Sequence, residues 1–206
     1  MHDQPISLAM TGASGAQYGL RLLEMLLKSE RRVYLMLSKP AQLVIGTETD
    51  FKLPSRAAEI ETFLRQHFRA TAEQLRVFAP EQWSAPVASG SATMHAMVIC
   101  PCSMATLSAV AVGASRSLIE RAADVTIKEQ RTLILVPRET PFSAIHLQNM
   151  LKLARLGVTI LPANPGFYHR PEKVDDLVDF VVARVLDHLR IAHTLMAAWG
   201  AQQREE

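Results

Sequence analysis

Residues 6–27, ISLAMTGASGAQYGLRLLEMLL, decide the fold. The uncharged run from Ile6 to Met10 reads as a buried strand. It passes straight into the turn Thr11-Gly12-Ala13-Ser14-Gly15, after which Tyr18, Leu22, Leu23, Leu26 and Leu27 recur at helical spacing. A strand that enters a helix through a glycine turn opens a βα unit. Working outward, residues 33–37 form a second apolar strand ending at Ser38, and Pro40 suits the first turn of a helix carrying Leu43, Val44 and Glu48.

The alternation continues to the end of the chain. Residues 57–68 read as a helix inside a weakly patterned excursion, 52–91, which leaves through a polar connection bearing Pro80, Trp83 and Pro86 and offers no strand. Residues 96–100 are a strand, and the hydroxyl-rich Pro101–Thr106 opens a small-residue helix running to Ala111. Ser117 caps a helix from Leu118 to Lys128, and residues 132–136 are again a strand. Thr140-Pro141 restarts a helix that ends at Gly157; residues 158–161 are the last strand, and 173–191 a closing helix with Leu177, Phe180, Val181, Val185 and Leu189 on its apolar face. Strands alternating with helices predict an α/β protein: a doubly wound, mostly parallel sheet with helices on both faces, three-layered and Rossmann-like or flavodoxin-like.

A chain of 206 residues suits one domain, 1–206, with the tail from about residue 200 frayed. Hydrophobic residues make up 49% and charged ones 20%, as in a compact soluble protein, and a net charge of +2 argues against a nucleic-acid partner. No apolar run approaches the roughly 20 residues of a membrane span, and Ile6 to Met10 is too short for a signal sequence, so neither membrane nor export is expected. Cys100 and Cys102 lie too close for an ordinary staple and have no third cysteine to complete a zinc pattern, which suits a reduced, cytoplasmic protein. The histidines show no HxH or HExxH grouping and no DDxxD-type stretch is present, so no metal is expected.

In open α/β sheets ligands occupy the crevice beyond the carboxyl ends of the strands. Thr132–Pro141 is therefore notable: an apolar strand runs into Arg138-Glu139, a pair that reads either as binding and proton-transfer groups or as a surface ion pair. The Thr11–Gly15 turn can face a phosphate with its amides, the Ser14 hydroxyl and the helix dipole, although it is neither GxGxxG nor a Walker loop and also reads as a plain tight turn. Pro101–Thr106 offers a second such loop, with N-capping by Ser103 as the plainer reading. Two loops at one sheet edge can hold one mononucleotide, with Ser38 and Ser89 as further hydroxyls. Arg121 and Lys128 share a helix face about 10 Å apart and bracket an anion or merely line a solvated surface. Tyr168 after the last strand and Arg184 on the last helix close over the same edge, or lie on the surface.

Taken together, TGASGAQYG (11–19), PCSMATL (101–107), IERAADVTIKE (119–129), PRETPFSAIHLQNM (137–150), FYHRP (167–171) and DLVDFVVARVLD (176–187) resemble the UbiX-type flavin prenyltransferases, within the homo-oligomeric flavin-containing Cys decarboxylase-like group. The resemblance spans nearly the whole chain. It implies transfer of a dimethylallyl group from dimethylallyl monophosphate to N5 and C6 of reduced FMN without a metal. The product, prenylated FMN, would serve a UbiD-type decarboxylase, with ubiquinone synthesis as the usual pathway. It assigns Gly12, Ala13, Ser14, Ser38, Ser103, Met104, Ala105, Thr106 and Arg138 to FMN, and Arg121, Lys128, Glu139, Tyr168 and Arg184 to the prenyl donor. Glu139 is the expected acid/base of ring closure, assisted by Ser14, with Glu48 as a second carboxylate and Trp199 as an aromatic face. The resemblance further implies a homo-oligomer, often a dodecamer, with sites at subunit interfaces. The competing expectations are FMN-dependent decarboxylation of an aromatic acid or cysteine peptide, and a non-enzymatic FMN electron carrier.

Overall fold

In a computed structural model of the chain, residues 4–196 are described. Among them, β1 (Ile6–Met10), β2 (Val33–Leu37), β3 (Leu75–Phe78), β4 (Ala96–Cys102), β5 (Thr132–Pro137) and β6 (Thr159–Ile160) form one sheet. Every pairing is parallel, in the order β3-β2-β1-β4-β5-β6. Winding proceeds outward from β1 in one direction and from β4 in the other, so the topological switch point lies between β1 and β4. The helices are α1 (Ala16–Lys28), α2 (Lys39–Glu48), α3 (Ala57–Phe68), α4 (Met104–Ala111), α5 (Leu118–Lys128), α6 (Ala144–Arg155) and α7 (Val174–His188).

Side chains alternate across the strands and build a core on each face. Leu8, Met10, Leu35 and Val98 meet α1, α2, α3 and α7 on one side. Ala9, Met36, Met97 and Leu135 meet α4, α5, α6 and a 3-10 turn at Pro86–Ala88 on the other. Three layers result, as the sequence predicts. On α1, Leu22, Leu23 and Leu26 are wholly buried, each contributing about 2 kcal/mol. Gly19 lets this helix lie directly on the sheet: a Cβ there would collide with Cys100 O and stand 2.9 Å from Met10 Sδ.

Several boundaries differ from the sequence reading. The excursion contains β3, which pairs with β2 at the sheet edge. Its four residues include exposed Arg76, whose guanidinium lies 5.4 Å from the Phe78 ring centroid, so the strand is too short and mixed for its period to stand out. The helix after β5 starts at Ala144, not at Thr140-Pro141. Ser143 and His146 form its capping box, with Ser143 Oγ accepting from His146 N at 3.2 Å and Ser143 N donating to His146 Nδ1 at 3.3 Å. The last strand shortens to two residues and the last helix ends at His188. The fourth strand extends to Cys102, and its register shifts after Ile99. That shift turns Cys100 toward the α1/α7 layer and Cys102 toward the α4/α5 layer, so the two thiols stay free and unable to pair. Burial pushes Cys102 up to about 12 and Cys100 in the same direction, leaving both as inert, uncharged thiols.

Candidate active site

Thr11 joins the two loops that flank the switch point. Its N–H and hydroxyl both donate to Pro101 O, at 3.1 and 3.0 Å, and its Oγ1 accepts from Ser103 N at 2.8 Å. Ser103 Oγ in turn accepts from Thr106 N at 3.3 Å and lies 3.1 Å from Thr106 Oγ1, which fixes the start of α4 with Met104 buried and Ala105 exposed. On the other side, Gly12 presses against α2: a Cβ there would stand 2.5 Å from Pro40 Cβ. Ala13 is buried, and Ser38 Oγ caps α2 by accepting from Ala41 N at 3.1 Å. Arg138 crosses the crevice from the end of β5, its Nε donating to Ser14 O at 3.1 Å. Glu139 follows it into solvent, its Oε1 accepting from Thr140 N at 3.2 Å. Four hydroxyls and a guanidinium thus gather at the carboxyl ends of β2, β1, β4 and β5, where the pair after β5 was expected to act.

Glu48, the last residue of α2, has a definite task in this arrangement. Its Oε2 accepts from Gly15 N at 2.8 Å and Ala16 N at 3.0 Å, and so caps α1, whose own N-cap residue is a glycine at φ 102°. Of the amides in the Thr11–Gly15 turn, that of Gly15 is therefore committed to a carboxylate of the chain itself and that of Thr11 to Pro101 O. Burial alone would raise the Glu48 pKa. Hydrogen bonds from the Ser14 side chain and from the Ala16 and Gly15 amides, with the Arg138 charge nearby, outweigh it and hold the carboxyl below its ordinary range.

A second cluster lies on the α5 face. Arg121 Nε donates to Ala88 O at 3.1 Å, and its Nη1 to Asp124 Oδ2 at 3.0 Å. Lys128 pairs with Glu129, and Gly90 packs so closely that a Cβ would stand 2.7 Å from Lys128 Nζ. Ser89 and Ser91, whose hydroxyls are 2.8 Å apart, complete this turn. Arg121 and Lys128 thus both border the 88–91 turn, and since that turn precedes β4 and Lys128 precedes β5, the cluster lies toward the amino end of the sheet, away from the Arg138 crevice.

The third cluster belongs to α7, on the opposite face. The Tyr168 ring packs 5.7 Å from Phe180, which stands one helical turn from Arg184. Arg184 pairs with Asp187 at 2.6 Å, and the other carboxylate oxygen of Asp187 lies 3.1 Å from His193 Nε2. Asp175 lines the α1/α7 groove with Gln17 near the carboxyl edge, and Arg184 lies about 14 Å further along the helix axis. At the far end, Leu189 O is 3.5 Å from His95 Nε2, just before β4 begins. One chain therefore does not gather Arg121 and Lys128 with Tyr168 and Arg184.

Trp199 and residues 200–206 lie outside the described residues. Among the described residues no group of three or more His, Cys, Asp or Glu is placed to hold a metal ion, and no helix is long and apolar enough to cross a membrane. Two connecting groups do not stand out in the sequence. Thr11 carried a faint signal, a hydroxyl at the first position after a strand. Arg131, whose guanidinium reaches back to the Ser89–Ser91 turn, carried none, because its partners lie 39 and 41 residues away.

Residues 1–186 match the Flavoprotein family. A flavin prenyltransferase UbiX from Pseudomonas aeruginosa is 61% identical over 197 residues, covering 96% of this chain and 94% of the relative. Another from Methanocaldococcus jannaschii is 43% identical, covering 95% of this chain and 98% of its own. The crystal structure of AnUbiX (PadA1) in complex with FMN and dimethylallyl pyrophosphate superposes with a TM-score of 0.85 at 38% identity, covering 96% of this chain and 97% of that one. The dodecameric FMN-dependent Ubix-like decarboxylase from Escherichia coli O157:H7 gives 0.83 at 40% identity, with 95% and 99% covered. The strand order, the switch-point crevice and these relatives agree, and the chain belongs to the Flavoprotein family and, within it, to the UbiX-type flavin prenyltransferases.

Proposed function

We propose that the protein joins the dimethylallyl group of dimethylallyl monophosphate to N5 and C6 of reduced FMN, in the cytoplasm and without a metal, and that a UbiD-type decarboxylase takes the product. One observation carries this reading. Besides the crevice at the switch point, the chain carries a pair of cations on α5, Arg121 and Lys128, and on the opposite face an arginine and a phenol, Arg184 and Tyr168, for which an electron carrier has no use.

The crevice residues suit FMN. Arg138 offers a guanidinium held at Nε by Ser14 O, and Ser38, Ser103 and Thr106 offer hydroxyls from two strand ends. When bound, the reduced flavin supplies the nucleophilic nitrogen and the ring carbon that receive the two new bonds. Glu48 occupies the amino end of α1, so a phosphate finds its donors elsewhere in the crevice and the flavin ring is left beside Ser14. Ser14 donates a hydrogen bond to the Glu48 carboxylate, which leaves the hydroxyl oxygen free to accept from the bound ring. The depressed pKa of Glu48 keeps it ionised and fits a base or anchor, whereas solvent-facing Glu139 is the group that exchanges the proton of ring closure.

Arg, Lys and Tyr donors match a phosphate monoester, whose departing oxygens Lys128 and the two arginines neutralise as its bond to carbon breaks. Because the donors lie on opposite faces of the sheet, the working site is shared between copies of the chain in a homo-oligomer, and Trp199 contributes an aromatic face. The test is anaerobic incubation with reduced FMN and dimethylallyl monophosphate, without added metal, followed by mass spectrometry of the flavin. A flavin carrying the five-carbon group is expected. A flavin of unchanged mass overturns the assignment, and adduct formed only from the diphosphate overturns the choice of donor.

A further inference from the structure

The turn at residues 88–92 is held from behind by two guanidinium groups. Arg131 Nη1 donates to Ala92 O and its Nη2 to Gly90 O, both at 2.8 Å, and Arg121 Nε donates to Ala88 O at 3.1 Å. Three carbonyls of one short segment are therefore turned toward cations. In the same turn Ser89 and Ser91 lie hydroxyl to hydroxyl at 2.8 Å, and Ser91 N donates to Ser89 Oγ at 3.3 Å. Gly90 rests against the ends of the Lys128 and Glu129 side chains, where a Cβ would stand 2.7 Å from Lys128 Nζ, so the turn and the Lys128 ammonium are in direct contact. Arg131 lies just beyond the end of α5, where Arg131 N donates to Thr126 O at 2.9 Å, and so it ties the turn to the helix that carries both cations.

From this geometry we infer that Arg131 is a positioning residue for the prenyl donor: its two-carbonyl fork sets the Ser89–Ser91 turn at a fixed distance from Arg121 and Lys128, and so shapes the seat of the donor's phosphate. The inference rests on the reading that Arg121 and Lys128 hold that phosphate. Arg131 itself touches neither substrate. A planar fork with two parallel donors can grip two carbonyls at once, which a lysine ammonium meets less well.

The experiment uses the FMN-loaded protein under anaerobic conditions and measures KM and kcat for dimethylallyl monophosphate, the inhibition constant of inorganic phosphate, and FMN affinity by fluorescence quenching. For Arg131→Gln, loss of two charge-assisted hydrogen bonds is expected to raise both KM and the phosphate inhibition constant about tenfold, with kcat and FMN affinity within about twofold of the parent. Arg131→Lys should fall between the two. Gly90→Ala, whose methyl group pushes the ends of the Lys128 and Glu129 side chains away from the same turn, should reproduce the split and serves where Arg131→Gln does not fold. Unchanged KM in both, or donor and FMN affinity falling together, overturns the inference. Lys128→Ala separates the two readings. If it leaves KM unchanged, the phosphate assignment of α5 fails; if it raises KM while Arg131→Gln and Gly90→Ala do not, only the role of Arg131 fails.

Discussion

Glu48 occupies a position that in many sheets of this kind receives a ligand's phosphate, and the consequence can be read in the response to acid. Its pKa is depressed from the ordinary value of 4.5, chiefly against burial, by the Ser14, Ala16 and Gly15 hydrogen bonds. A depressed carboxylate stabilises the fold above its unfolded-state pKa, and that contribution disappears as pH falls through the folded-state value. Glu48→Ala should therefore cost about 0.5–1 kcal/mol at pH 7, a capping effect reduced by solvent screening, and the gap to the parent should close progressively below pH 4.5. Thermal melts from pH 7 to 3 measure it; a gap of constant size would show that the cap has no electrostatic part. The same residue shows where sequence reading stops. Arg138 and Glu139 stood out because charge at the carboxyl end of an apolar strand is conspicuous. Glu48 stood out only as a spare carboxylate, since its partners Gly15 and Ala16 lie 33 and 32 residues away and no local pattern announces them.

Among the elements, those whose apolar period was long and clean were legible. The central strands β1, β2, β4 and β5 are buried on both faces, and their helices carry broad apolar stripes, so composition and spacing agree. The edge strands were not. β3 has one edge unpaired and an arginine within four residues, and β6 has two residues held by β5 alone, so tertiary pairing rather than local preference defines both. The turn after β1 was legible as a turn, but its depth was not, for it depends on α1 lying against β4. Gly19 is what permits that contact, and the nearest obstacle to a Cβ is the Cys100 carbonyl, which cannot rotate aside. Gly19→Ala should lift α1 from the sheet, cost about 1–3 kcal/mol of stability and weaken FMN binding through displacement of the Ser14 turn. Differential scanning calorimetry and FMN titration follow the two effects. A folded variant of unchanged melting temperature would mean that the helix accommodates the methyl group by a small shift.

At the scale of the whole molecule, the arrangement of charge sets how the site is assembled. Arg121 and Lys128 stand on the layer built from α4, α5 and α6, whereas Tyr168 and Arg184 stand on the layer of α1 and α7, with the sheet between them. If both sets bind the phosphate of one donor, they come from different chains. This was the part of the site least legible in sequence, because spacing reports which residues share a helix face and says nothing of which faces of separate chains meet. Mixing experiments convert the geometry into a count. Lys128→Ala and Arg184→Ala should each lose most prenyl transfer while retaining FMN. When the two variants are co-expressed in equal amounts and assemble at random, a site that draws Lys128 from one copy and Arg184 from another is intact in about one quarter of cases. Activity should then return to about a quarter of the parent's per site, although neither variant alone shows it. A site built from a single chain would recover nothing, since every chain in the mixture carries one defect. The recovered fraction thus distinguishes a shared site from a self-contained one without reference to the size of the assembly.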